Sequence, residues 1–347
     1  MAKAGILLLN IGTPRSFEVH DVKKYLRTFL MDRDIIDLPW ISRWPLVNLI
    51  IVPQRGAYSA SNYKKIWMKE GSPLLVYTDR FADQLQNKLG SQYLVRIGMR
   101  YSAPTIESAL RDFYRAKVET IIVAPMYPQY AEATTGSSLR EVNRLMGRLG
   151  IDIPTVVVPP FYDKKEFLKA QGQCMKDVTQ EKAIEHIVFS FHGLPEAQIK
   201  KVPGCLSSPD CCAQVNACEK PCYRAQSLAT AEKLAKEIGL AKDSWSVGFQ
   251  SRLGRAEWLK PSTDQVLEDL ARKGIKKVAI ACPSFVADCI ETLEEIGMGG
   301  KQLFLREGGT EFFMIPCVND HPLWVDGFSE MIKKNQPGKS AVNDLSQ

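Results

Sequence analysis

The feature that most constrains this chain is a recurring alternation of short, unbroken Val/Ile/Leu runs with longer amphipathic stretches. A strand covered on both faces has no polar side to alternate, and parallel strands need a helix to bring the chain back between them. Residues 6–9, 93–97, 120–124 and 155–158 read as such strands, with helices beginning near Thr78, Pro104 and Thr135. The theme returns at 186–191, 244–249, 277–281 and 312–315, with helices over 223–238, 263–273, 288–296 and 322–333. The fold class predicted is α/β: two similar Rossmann-like lobes built on parallel sheets. The lobes agree in element order, and no residue-level repeat is visible. The expected division is 1–168 and 169–335, with the boundary inside a helix over 164–178. A tail over 336–347, rich in polar residues, Pro and Gly, is expected to be disordered.

Two stretches break the rhythm: 29–63, rich in Trp, Pro and Arg, and 202–223, dense in Cys and Pro. Long irregular insertions in a compact domain are more often functional than accidental. The rest of the composition is that of a globular protein, with 45% hydrophobic and 24% charged residues. The formal charge of +6 is scattered among acids, and no block of like charge marks a nucleic-acid arm, so no nucleic-acid partner is expected. The N-terminal apolar run is too short for a signal peptide. Residues 38–52 form the most apolar candidate span, but Pro39, Arg43 and Pro45 break it, and it falls short of the ~20 residues a crossing needs. The chain is therefore expected in the cytoplasm. Its nine cysteines then call for metal ligation or burial rather than disulfides.

In open α/β sheets, ligands sit beyond the carboxyl ends of the strands. Asn10, Arg100, Tyr101, Tyr127, Gln129, Tyr130, His192 and residues 249–252 all fall at such ends. His192 stands at a strand terminus before a Gly-Leu-Pro turn, where an imidazole can act as a base or bind metal. His20, His186 and His321 lack that setting and read as structural. Asp288, Glu291 and Glu295 are spaced to share one helix face, either an acidic path for a divalent cation or a solvated face. Cys205, Cys211, Cys212, Cys218 and Cys222 lie within eighteen residues, too dense for core packing, and ask for zinc or an iron–sulfur cluster on four of them. Cys174, Cys282, Cys289 and Cys317 sit in apolar contexts and read as buried thiols. The hydroxyls of TTGSS at 134–138 either cap a helix or hold an anionic group.

LLLNIGTP, RYSAPT, YPQYAEATTGSS, SFHGLP, FQSRLGRAEWLKP and ADCIETLEEIG follow one another in an order and at spacings that resemble the ferrochelatase family, over residues 5–332. The resemblance implies a class II chelatase architecture with a porphyrin cleft between the lobes, and insertion of the substrate Fe2+ to give heme. It gives His192 and Glu291 the reaction and the metal, with Glu291 opposite the histidine and Asp288 and Glu295 extending an acidic path. It places Arg100, Tyr101, Tyr127, Trp258 and Phe285 around the porphyrin. Asp34, Leu38 and the Trp-rich residues after them match an apolar lip, which suggests peripheral contact with the inner face of the cell membrane. Animal members hold one [2Fe–2S] ligand beside TTGSS, where this chain has Glu132. Some bacterial members carry an internal cysteine segment like this one, which implies a [2Fe–2S] cluster here.

The resemblance implies protoporphyrin IX or coproporphyrin III as the porphyrin, and the long apolar lip favours the former. Three other readings compete: a porphyrin or heme carrier without turnover, a cobalt chelatase of related fold, and an iron–sulfur oxidoreductase. The last suffers because no Gly-rich dinucleotide fingerprint follows a strand.

Overall fold

The computed structural model describes residues 2–201, 204–206, 211–212, 221–252, 254 and 256–335. Among the described residues, eight strands form two parallel sheets of four. The first holds β1 (Ala4–Asn10), β2 (Tyr93–Met99), β3 (Thr120–Pro125) and β4 (Thr155–Val157), in the order β2-β1-β3-β4. The second holds β5 (His186–His192), β6 (Trp245–Gln250), β7 (Lys277–Ala281) and β8 (Glu311–Met314), in the order β6-β5-β7-β8. Every residue of β1 is buried, the signature of a central parallel strand covered on both faces. Leu7, Leu9, Ile121 and Val123 pack with Phe113 and Leu145 in the first core, and Val188, Val278 and Ile280 pack with Leu267 and Phe304 in the second.

The chain divides into two compact units, one of Met1–Met126, Glu132–Pro159 and residues from Phe328 onward, the other of Tyr127–Ala131 and Pro160–Gly327. The division thus falls before the Lys165–Thr179 helix instead of inside it. Local bonds explain the exchanged segments. Gln129 donates to Thr230 and Pro283, and the Tyr130 amide donates to Gln226, which fixes residues 127–131 to the second unit. Phe328, in turn, packs edge-on against Phe81 of the first. The expected tail over 336–347 lies outside the described residues.

A residue-level repeat does exist, and spatial register reveals it. In the first unit the Met99 amide donates to the Pro104 carbonyl, and Thr105 caps the Ile106–Ala116 helix. In the second, the Phe249 amide donates to Pro261, and Ser262 caps the Thr263–Arg272 helix. A side chain at Gly98 would meet Ile106 Cα at 3.1 Å, and one at Gly248 would meet Thr263 Cα at 2.8 Å. Each glycine therefore lets its helix seat directly on the strand. Gly98, Pro104 and Thr105 thus correspond to Gly248, Pro261 and Ser262, although the second loop is longer.

Other expectations need correcting. The helix expected near Thr78 begins at Pro73, whose fixed φ suits a first helical turn. Pro104 stands before its helix rather than starting it. Residues 29–63 are mostly helical, comprising the end of Val19–Leu30, then Trp40–Pro45, a π-helix Leu46–Ile51 and most of Val52–Ile66. The wide π form also precedes the Ser137–Leu149 helix, at Glu132–Gly136, and replaces α geometry in the helix expected over 288–296, at Glu291–Gly300. Such turns are rare and concentrate at functional sites.

Candidate active site

In the second sheet, successive strands turn from one direction to the other between β5 and β7, the position where α/β sheets open a crevice at their carboxyl ends. His192 ends β5, and the segment from Cys282 to Glu291 follows β7. His192 and Glu291 therefore belong to the same unit, not to facing lobes. They lie near enough for the Glu291 charge to favour the protonated form of His192.

The backbone of His192 is clamped on both sides. Its amide donates to Ser284 Oγ at 3.0 Å, and its carbonyl accepts from Tyr223 Oη at 2.8 Å. The ring is fixed as well, with Nδ1 at 2.6 Å from the Gly193 carbonyl. A carbonyl can only accept, so Nδ1 carries the proton and Nε2 of the neutral ring keeps its lone pair. Burial pushes the imidazole below its ordinary range, and the Glu291 charge and the Gly193 bond oppose that shift without overcoming it. The result is a neutral base near neutral pH. Phe285 lies edge-on at 6.2 Å between ring centroids. Trp258 flanks the other neighbour, since a Cβ on Gly193 would come within 3.2 Å of its indole. Tyr127, half-buried, begins the short segment anchored through Gln129.

The three acids do not share one helix face. Asp288 precedes the π-helix, is buried, and accepts from Thr292, Asn319 and the Cys317 amide. Its carboxylate is consumed in holding that turn. Glu295 lies one turn beyond Glu291 and accepts from both the amide and the hydroxyl of Ser251, at 2.7 and 2.6 Å. Burial is the main cause that raises Glu295 to a pKa of about 7, with the neighbouring Glu291 charge adding to it and the Ser251 bonds opposing. Glu295 can therefore give and take a proton near neutrality. Ser251 has φ of 61°, a left-handed backbone uncommon for a residue with a side chain, and Glu295 holds it there.

In the first unit, Arg100 and Tyr101 do meet, on the carboxylate of Asp32. Asp32 Oδ2 accepts from Arg100 at 2.6 Å, from Tyr101 at 2.8 Å and from Ser137 at 3.1 Å. Burial works against the charge on Asp32, yet these bonds, the Asp34 amide and the Arg100 charge together hold its carboxyl below the usual range. Asp34 pairs with Arg140. Thr135 and Ser138 of TTGSS are buried hydroxyls without a hydrogen-bond partner among the described residues. Leu38, Trp40, Ile41, Trp44, Leu49 and Ile50 are exposed, Ile41 to 77%. Arg43, counted in the sequence as a break in this apolar run, is buried and donates to the carbonyls of Ile36 and Leu38, so it fastens the base of the lip. Among the described residues, no helix is long and apolar enough to cross a membrane.

Of the cysteine segment, Cys218 lies outside the described residues. Cys211 and Cys212 bring their sulfurs to 3.6 Å. That is far beyond a disulfide and close to the ~3.8 Å edge of a tetrahedral thiolate site with ~2.3 Å metal–sulfur bonds. Cys222 is near enough for its charge to raise Cys212. The donor chemistry thus fits a thiolate-bound metal, although among the described residues no group of three or more ligating side chains is already gathered to hold one. Cys174, Cys282, Cys289 and Cys317 are buried, with burial the main cause raising each thiol. His186 bonds Ser246, and His321 accepts from the Leu323 amide, as structural histidines do.

Asp32, Ser284, Tyr223 and the bonding of Gln250 escaped sequence reading. The pair QS within FQSRLG is the only local signal, and it says nothing of the partners.

A family model described as Ferrochelatase matches residues 3–336. Ferrochelatase of Bdellovibrio bacteriovorus is 55% identical over 333 residues, covering 96% of this chain and 99% of that one. Ferrochelatase of Pseudomonas aeruginosa is 44% identical over 340 residues, covering 95% and 98%. Among solved structures, SirB from Bacillus subtilis with Fe3+ is similar at a TM-score of 0.57 and 13% identity, covering 96% and 95% of the two chains. The sirohydrochlorin chelatase SirB from Bacillus subtilis subspecies spizizenii in complex with cobalt gives a TM-score of 0.55, also at 13% identity. At such identity the likeness speaks for the α/β fold alone.

Proposed function

Because the chain belongs to the ferrochelatase family and is an enzyme that inserts Fe2+ into a porphyrin in heme biosynthesis, we propose that His192 and Glu291 carry the insertion chemistry. Fe2+ enters as two pyrrole protons leave, so the site needs a base with a free lone pair and an anionic group for the arriving cation. The observation that carries the assignment is the 2.6 Å contact of His192 Nδ1 with Gly193, which leaves Nε2 as that base beside Glu291. Both residues serve the incoming metal. Glu295 extends the acidic path as a proton acceptor, and Asp288 holds the turn from which the path starts.

Tyr127, Trp258 and Phe285 contact the macrocycle in this reading, and Arg100 and Tyr101 contribute to porphyrin recognition through the Asp32 network. Binding energy from apolar contacts remote from the metal can bend the ring toward the geometry in which its nitrogens accept iron. Protoporphyrin IX is the favoured substrate over coproporphyrin III, supported by the exposed lip, which suits peripheral docking on a bilayer where an apolar porphyrin is exchanged. Neither the carrier nor the cobalt-chelatase reading is favoured.

Four of Cys205, Cys211, Cys212, Cys218 and Cys222 hold a [2Fe–2S] cluster in this reading, supported by the sulfur pair at 3.6 Å. Such a cluster supplies one-electron redox chemistry, which metal insertion does not use, so its role is structural or sensing. Cys212→Ser is expected to abolish the brown chromophore; an anaerobically prepared protein that is colourless and carries zinc would overturn the cluster.

The site assignment is tested by multiple-turnover insertion of Fe2+ into both porphyrins with wild type, His192→Ala and Glu291→Gln. Both variants are expected to lose at least about 100-fold in kcat. Full activity in either removes that residue from the mechanism.

A further inference from the structure

Gln250 is a buried polar side chain that the insertion chemistry leaves unused, yet it touches each strand of the site. It ends β6 and stands in register with His192 on β5. Its backbone carbonyl accepts from the Gly193 amide at 2.6 Å, the residue whose own carbonyl fixes the imidazole. Its Nε2 donates to the backbone carbonyl of Glu291 at 3.2 Å. That carbonyl can only accept, so the amide orientation is settled and Oε1 points the other way. Oε1 accepts from Ser190 Oγ at 2.6 Å and from the Cys282 thiol at 3.4 Å. Ser190 has spent its only proton, so Thr263 Oγ1 at 2.7 Å donates to it.

The bonds form a single directed chain: Thr263 to Ser190, Ser190 to Gln250, Gln250 to Glu291. Because every member is buried or half-buried, each lost partner would leave an unpaired polar group. The chain ends on the first residue of the π-helix, where the carboxylate itself begins.

We propose that Gln250 is a positioning residue for metal insertion: its amide, locked between Ser190 and the Glu291 carbonyl, sets where the Glu291 carboxylate stands relative to His192. This rests on the roles given above to His192 and Glu291. An apolar side chain of equal length would fill the space but release the first turn of the π-helix. Glutamate at this position would place a second anion beside Glu291 and, when ionised, offer no donor. The corresponding position in the first unit is Arg100, whose side chain donates to Asp32.

The test is a double-mutant cycle on kcat, read in single turnover with enzyme in excess so that slow variants remain measurable. Gln250→Met is expected to lower kcat by about 10- to 100-fold, as a misplaced catalytic group does, with the porphyrin KM within about twofold. In a Glu291→Gln background the same change is expected to cost less than about twofold, since a residue acting through Glu291 has nothing left to position. Ser190→Ala, which trims the chain one step back, is expected to repeat the pattern more weakly and serves if Gln250→Met folds poorly. Losses that multiply in the double variant, or a rise in KM with kcat unchanged, overturn the proposal. Full activity in Glu291→Gln alone would instead overturn the assignment of Glu291, so the two failures are told apart.

Discussion

Tyr223 Oη donates to the main-chain carbonyl of His192 at 2.8 Å, so the first residue of the Tyr223–Glu237 helix holds the strand end that presents the imidazole. The histidine is thus positioned by its backbone as much as by its ring: Ser284 holds the amide, Tyr223 the carbonyl and Gly193 the Nδ1 proton. A base fixed at three points loses little entropy when the porphyrin arrives, which is how preorganisation contributes to rate.

Glu295 makes stability depend on pH in a definite direction. Its folded pKa of about 7 lies above the ordinary 4.5, so the fold binds this proton more tightly than the unfolded chain. That stabilisation is fully present below pH 4.5 and is lost as pH rises through 7. Glu295→Gln keeps the shape and removes the titration. Urea unfolding at pH 5 and pH 8 should show wild type losing up to about 3 kcal/mol relative to the variant across that interval.

Gly193 is required for space, not for backbone freedom. A methyl group there would stand 2.7 Å from the Gln250 carbonyl and 3.2 Å from the Trp258 indole. Gly193→Ala is expected to cost about 1–3 kcal/mol in denaturant unfolding, because neither neighbour can retreat without moving a strand end. Insertion activity should fall with it, since the Gly193 carbonyl orients His192. A variant as stable and active as wild type would show that the strand end yields.

Asp32 gathers the first unit's Arg100, Tyr101 and Ser137. Its carboxyl is held low in the fold, so its contribution is present above the unfolded pKa near 3.8 and is lost as pH falls through the folded value. Asp32→Asn should therefore destabilise by about 1–3 kcal/mol at pH 7 and by much less at pH 3, as read by thermal melts. An equal loss at both would mean that packing, not charge, is what Asp32 supplies.

For the lip, Ile41→Glu combined with Trp40→Ser should abolish co-flotation with vesicles of phosphatidylglycerol and phosphatidylethanolamine. Both side chains are exposed, at 77% and 63%, so the substitutions should leave the melting temperature within a few degrees. Unchanged flotation would remove the lip from any membrane role.

How far the sequence could be read follows from the physics of each element. The strands were legible because a parallel strand covered on both faces must be apolar throughout, and β1, β3 and β7 declare this in their own residues. The π-helices were not, because an i to i+5 helix has no composition of its own; Asp288, Glu291 and Glu295 look like one face only if α geometry is assumed. Arg43 read as a charge interrupting an apolar span, whereas its guanidinium turns inward onto two carbonyls. The repeat of Gly98-Pro104-Thr105 as Gly248-Pro261-Ser262 was hidden by a longer second loop and appears once strand register aligns it.

His192 shows where the boundary lies. Its residue type, its place at a strand end and its glycine neighbour are properties of the chain, so the sequence by itself determined that a titratable ring would stand at the carboxyl edge of a parallel sheet. Which nitrogen carries the proton, how far burial lowers the ring's affinity for a second one, and which carboxylate opposes that shift were decided only in three dimensions. Each depends on groups distant along the chain, Ser284, Tyr223, Gln250 and Glu291, whose distances no local pattern encodes. Electrostatic and hydrogen-bond energies follow those distances, and only the folded sheet sets them.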